Sequence, residues 1–239
     1  MWHRGIAMRH IIRINLSLVF SLLFMLPIPA AAIPAITCHC FTDRSFETAR
    51  PAAADPYFLA TTQNSFFAIV YNVDKKTIVI KKQQGTSPDD LWIAYRVASI
   101  SGVPADTLLQ ARQKHESWKD VIAAAGIAAK KSGSRFSNEL SVNSSSAHLA
   151  ETVVDEIFLH HRLMGEGELA EMRRIGASNQ ELIISAVISA KTGRSAKQVY
   201  LDVKNGSKTW GGMLTSGNID TKNMQREISK ILKIVNGER

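Results

Sequence analysis

Apolar positions in this chain fall into two patterns. At the amino end they form one block, residues 16–26, behind Arg4, Arg9 and Arg13 and ahead of the first acidic residue, Asp43. From residue 57 onward they recur at helical spacing, interrupted by Gly, Ser and Pro, which predicts a series of short amphipathic helices. The expected fold class is all-α.

The helical part reads as two similar multi-helix units produced by an internal duplication. Residues 61–127 are echoed by 152–219 at an offset of 91, which becomes 92 after one inserted residue. Phe67 falls on Phe158, Gly85 on Gly176, Ser87 on Ser178, Leu91 on Leu182 and Ile93 on Ile184. Further on, Gly102 falls on Gly193, Ala105 on Ala196, Trp118 on Trp210 and Ile127 on Ile219. These positions make sense as punctuation. Gly85 and Gly176 suit the left-handed position just past a helix end, and Ser87 and Ser178 then act as N-caps with an acid three residues on. Beyond Leu91 and Leu182 come small residues, Ala94 and Ala98 in one copy and Ser185 and Ser189 in the other, which let a neighbouring helix approach closely. Gly102 and Gly193 end that helix, Pro104 and Ser195 open the next, and a short last helix follows Trp118 and Trp210.

One stretch is ambiguous. Thr77-Ile78-Val79-Ile80, within residues 75–84, favours a strand by propensity, but the equivalent residues 166–175 read as helix and decide the assignment. The first unit is then 57–129 and the second 147–239, ending in a C-terminal helix. Residues 130–146 are rich in Ser, Asn and Lys, have few apolar anchors, and are expected to be a linker. They include Asn143-Ser144-Ser145, an N-glycosylation acceptor in a eukaryotic secretory route. The interface between the two units is the default place for a groove.

The amino-terminal block has the order of a Sec-type signal peptide: basic start, apolar middle, small-residue end. Pro27 and Pro29 break the helix and Ala30-x-Ala32 offers small side chains to a signal peptidase, which places the cut after Ala32 and the mature start at Ile33. Pro27, Pro29 and Pro34 argue against an uncleaved membrane anchor. A lipoprotein cut before Cys38 is disfavoured by Thr37 and by Ala35 where Leu is usual. The protein is expected to be exported, periplasmic or extracellular, and soluble after cleavage. Residues 33–56 are expected to be irregular up to Asp55-Pro56, which resembles a helix entrance.

Charge changes this picture little. The 239-residue chain is formally +8, and removing the three signal-peptide arginines leaves +5. With aromatics at only 7% and no run interleaving them with Lys or Arg, a nucleic-acid partner is not expected. The stretch 195–219 has the length of a helix-turn-helix, but its charges do not concentrate on one face. No segment after residue 40 is apolar enough to span a membrane.

Candidate chemistry begins with Cys38-His39-Cys40, which holds the only two cysteines. In an oxidising compartment they are expected to pair as a disulfide, a local staple, or to join another chain. A ring with one intervening residue is strained, which also permits thiol exchange. Two thiolates and an imidazole suit copper or zinc if His148, His160 or His161 supplies a further ligand. Covalent haem is disfavoured, because the spacing is one residue short of Cys-x-x-Cys-His.

A second constellation, Glu151, Asp155, Glu156, His160 and His161, has pairs at i, i+4 that suit a shared cation, but it reads better as a solvated helix flank beside the stripe Leu149, Val153 and Ile157. The first copy has Ile69 and Val70 where His160 and His161 fall. Trp118 and Trp210 read as packing residues. No Gly-rich phosphate loop, Gly-x-Ser-x-Gly or His-Glu-x-x-His occurs.

The function expected is that of a non-enzymatic binding or scaffold protein of the cell envelope, whose partner is a protein or polymer. The alternative is a thiol-redox or metal-binding protein using Cys38, His39 and Cys40. A lytic enzyme with a Glu acid is a third class, and a lone Glu in a groove between the units would be its first sign.

Overall fold

The computed structural model describes residues 41–127 and 134–235. The signal-peptide block and Cys38, His39 and Cys40 lie outside the described residues. Among the described residues there are twelve α-helices, one short 3-10 helix and no strand, so the all-α expectation holds. No described helix is long and apolar enough to cross a membrane.

The helices are α1 (Asp55–Val70), α2 (Lys75–Gln83), α3 (Pro88–Ser101), α4 (Ala105–Arg112), α5 (Trp118–Ala124) and α6 (Ser134–Ser141). They continue with α7 (Ser146–His160), α8 (Glu166–Arg174), α9 (Asn179–Thr192), α10 (Ala196–Lys204), α11 (Trp210–Ser216) and α12 (Met224–Val235). The same stop and start devices bound several of them. Ser87 Oγ accepts from the Asp89 N–H at the start of α3, and Ser178 closes a reciprocal capping box with Glu181 at the start of α9. Both helices end on a glycine, Gly102 and Gly193, at φ +80° and +73°, where a side chain would be strained. Gly85 and Gly176 stand just beyond α2 and α8, also at positive φ. Trp118 and Trp210 open α5 and α11 behind the caps Ser117 and Thr209, and both are buried.

The ambiguous stretch is helix α2. Asp74 caps it by accepting from the Lys76 N–H at 2.8 Å, and Ile78 and Val79 are buried. Packing of that face on α1 outweighs the strand propensity of the β-branched run. The stretch expected to be a linker differs more. Residues 134–141 form α6, with Phe136 and Leu140 fully buried on α7. Two apolar anchors four residues apart suffice to seat a short helix when a neighbour covers them.

The central helix is α1. Its buried residues run without a break from Ala60 to Ala68 because α9, α12, α2 and α11 surround it. The helices pair crosswise: α1 packs along α9, while α3 packs along α7, and α12 covers α1 as α6 covers α7. One continuous core results, from Ala54 to Leu232, with Phe66 and Phe158 in contact at 5.8 Å between ring centroids.

Residues 41–54 are bends and turns that nonetheless pack. Phe46 lies against Gly211 and Gly212, and Phe41 meets the Tyr57 ring edge-on at 6.0 Å. Asp55, the first residue of α1, accepts from the Trp210 and Gly211 N–H groups at 3.1 and 2.9 Å, so it also satisfies the free amides opening α11.

Candidate functional site

Most charged side chains in the interior hold helices to one another. Lys82 of α2 is buried and donates to Asn64 Oδ1 of α1 at 2.6 Å. Arg173 of α8 donates through Nε and Nη2 to Asp155 Oδ1 of α7 at 3.0 and 2.8 Å, and also reaches Ala177 O and Asn179. Burial pushes the Asp155 carboxyl above its ordinary value, with Arg173 working in the opposite direction. Asp90 accepts from Trp118 Nε1 at 2.7 Å, and Lys191 meets the buried Glu227 at 2.5 Å. Two carboxylates of the second constellation depart from the solvated flank, Asp155 and Glu156, both half-buried and each bonded to an arginine of another helix, whereas Glu151 and His160 stay open to solvent.

One such pair, Arg96 with Glu156, lines a groove of about 360 Å³ where the C-terminal ends of α1 and α7 converge beside α3. Its polar lining is Tyr71, Arg96, Ser99, Glu156, His160 and His161, with Val70 and Ile157 as apolar walls. The Tyr71 ring is packed by Phe67, Trp92 and Tyr95, at 4.8, 6.0 and 5.7 Å between centroids. Those contacts fix the ring, while its hydroxyl lies within the field of Arg96 and Glu156. Burial pushes the Tyr71 phenol well above its ordinary value, so the hydroxyl keeps its proton and remains a donor.

Glu156 is fully committed in this groove. Its Oε2 accepts from Arg96 Nη2 at 2.8 Å and its Oε1 from the Phe136 N–H at 3.1 Å. It stands in a groove at the junction of the two halves, but it is not a lone acid. Arg96 is only partly satisfied: its buried Nε finds no hydrogen-bond partner among the described residues, and neither does the Tyr71 hydroxyl. Ser99 Oγ donates to Arg96 O at 2.7 Å, which leaves its lone pairs available. The His160 and His161 rings meet edge-on at 4.9 Å along one wall.

Sequence reasoning found Glu156, His160 and His161 but not Tyr71, Arg96 or Ser99. Arg96 and Ser99 are ordinary polar residues at helical spacing, and only the crossing of α3 on α7 brings them to Glu156. His148, the other proposed metal supplier, sits near Glu139 and Glu151 instead, at 3.2 and 3.5 Å. Twelve residues of helix separate it from His160, roughly 18 Å, too far to share one ion. Among the described residues no three His, Cys, Asp or Glu side chains are placed to hold a metal.

No family model, curated protein or solved structure matches the chain.

Proposed function

We propose that the chain is an exported, non-enzymatic binding protein of the cell envelope, built on a duplicated helical unit, with the α1–α3–α7 groove as its capture site. The observation that carries the binding reading is the α1–α3–α7 groove itself, about 360 Å³, in which exposed Ser99 and His160 stand beside the Arg96–Glu156 ion pair. Both oxygens of Glu156 accept hydrogen bonds, which suits a positioning role better than proton donation.

The duplication is supported by contacts as well as by spacing. Asn64 and Asp155 are 91 positions apart, as are Lys82 and Arg173, and each cation bonds its own partner in the same pair of helices. Asp106 and Lys197 are also 91 positions apart, and they join Lys81 and Glu171 in ion pairs of reversed polarity. The crosswise pairing of α1 with α9 and α3 with α7 is the pattern that a twofold relation between copies produces.

The reading is tested on the full chain expressed with its amino-terminal block. Mass analysis of the exported protein should give a mature start at Ile33. A photo-crosslinking residue at exposed Ser99 or His160 should then join an envelope component that the same residue at exposed Lys208, outside the groove, does not. Intracellular retention, or identical adducts from all three positions, would overturn it.

A second reading rests on Cys38-His39-Cys40, as a disulfide, a thiol-exchange pair or a copper or zinc site. Free-thiol titration with metal analysis on the exported protein tests it separately. Bound metal near one equivalent, lost in Cys38→Ser/Cys40→Ser, would favour the metal role.

A further inference from the structure

A row of cations runs along the outer face of the last helix. Lys222, in the 3-10 turn Thr221–Asn223, is followed by Arg226, Lys230 and Lys233 of α12 at spacings of four, four and three, so the four share one helix face, and all are exposed. The opposite face is taken up by the core, where Met224, Ile228, Ile231 and Leu232 are buried. Carboxylates balance only part of the row. Asp220 meets Arg226 at 3.2 Å, and the buried Glu227 is shared by Lys230 and Lys191. Lys222 and Lys233 form no ion pair among the described residues, so Lys191 and the four of the row, five cations, stand against two acids. The fold itself does not require such a row. At the offset of 92 residues the buried Ile228 and Leu232 fall on the buried Phe136 and Leu140 of α6, whereas Arg226, Lys230 and Lys233 fall on Ser134, Asn138 and Ser141.

We infer that this face docks an anionic polymer without bases, a chain that carries a phosphate or carboxylate on its repeating units; the inference goes beyond the groove reading and does not depend on it. From Lys222 to Lys233 the row extends roughly 17 Å, at about 1.5 Å of rise per residue, which suits a linear ligand with repeated charge. Three of its four members are lysines, point charges that meet an anion without the fixed fork of an arginine. Helix α12 has no aromatic side chain on which a nucleic-acid base could stack. A bilayer suits the face less well, because an amphipathic helix lies in a membrane by burying its apolar side, and here that side is in the core. Lys222 also lines a concave site of about 540 Å³ together with Arg44, which a flexible chain can enter and a flat membrane cannot.

The test is titration of the folded chain with inorganic polyphosphate and with polygalacturonate by calorimetry at several salt concentrations. Saturable binding that weakens with salt is expected, and the tighter polymer identifies the anion as phosphate or carboxylate. Lys222→Gln/Lys233→Gln removes two exposed cations that hold no ion pair among the described residues, so its circular dichroism and denaturant midpoint should match wild type. Its affinity should fall, and its slope of log affinity against log salt should become shallower by about one for each cation removed. Lys76→Gln/Lys114→Gln takes the same charge from exposed positions at α2 and after α4, and should keep the wild-type slope and affinity. Absence of salt-dependent binding to both polymers, or equal losses in the two double variants, would overturn the assignment. So would tighter binding, at equal total charge, to vesicles of phosphatidylglycerol and phosphatidylcholine, to polyglutamate or to single-stranded DNA, each of which would hand the face to a different class of partner.

Discussion

Ser185 illustrates how a single residue can serve spacing at a cost in polarity. It lies fully buried on α9, and its hydroxyl has no hydrogen-bond partner among the described residues. A small side chain suits the close approach of helices, but the hydroxyl is desolvated without compensation. Ser185→Ala keeps the small size and removes the polar atom, so it should stabilise the protein by about 1 kcal/mol, read as a higher denaturant midpoint at unchanged slope. Glu227 is the opposite case, a buried acid with good partners. The hydrogen bond from Lys191 is the largest influence and holds its carboxyl below the ordinary glutamate value, with Lys230 assisting. A group whose folded value is lowered contributes fully above its unfolded value, near pH 4.3, and loses that contribution as pH falls through the folded value. Wild type should therefore be more stable than Glu227→Gln at pH 6, with the gap closing as unfolding is measured at successively lower pH.

At the scale of elements, the amino-terminal segment is seated by a glycine that no periodicity marks. An added Cβ at Gly211 would lie 2.8 Å from Phe58 Cε2 and 2.9 Å from Phe46 Cδ2, too close for both rings to stay. Phe58 belongs to the core of α1, whereas Phe46 sits on a segment of turns, so the segment is the part that yields. Gly211→Ala should leave the helical content unchanged while making residues 41–54 much more sensitive to limited proteolysis. The limits of sequence reading lie in the same distinction between local and distant causes. Caps at Ser87 and Ser178 and stops at Gly102 and Gly193 act within a few residues, so the sequence carries them openly. Helix α6 was hidden because Phe136 and Leu140 are apolar anchors only once α7 lies beneath them. The groove was half visible for the same reason: Glu156 and His160 share one helix, but Arg96 and Tyr71 join them only through the crossing of α3 with α7 and the meeting of two helix ends.

For the whole molecule, the crosswise pairing makes each half depend on the other. Residues 41–127 contain α1 but not α9 or α12, and they contain α3 but not α7. Expressed alone, neither 41–127 nor 134–235 should unfold cooperatively, whereas mixing them should restore helical signal and a sharp transition. The placement of α12 on α1 also sets a clock for biosynthesis. α1 ends at Val70 and α12 begins at Met224, so the innermost helix is made long before its last cover exists. At ordinary elongation rates that interval is roughly ten to thirty seconds, during which Phe58, Phe66 and Phe67 have no finished core to enter. A chain of this design is expected to leave one face of α1 uncovered, and exposed to wrong partners, until α12 has been made.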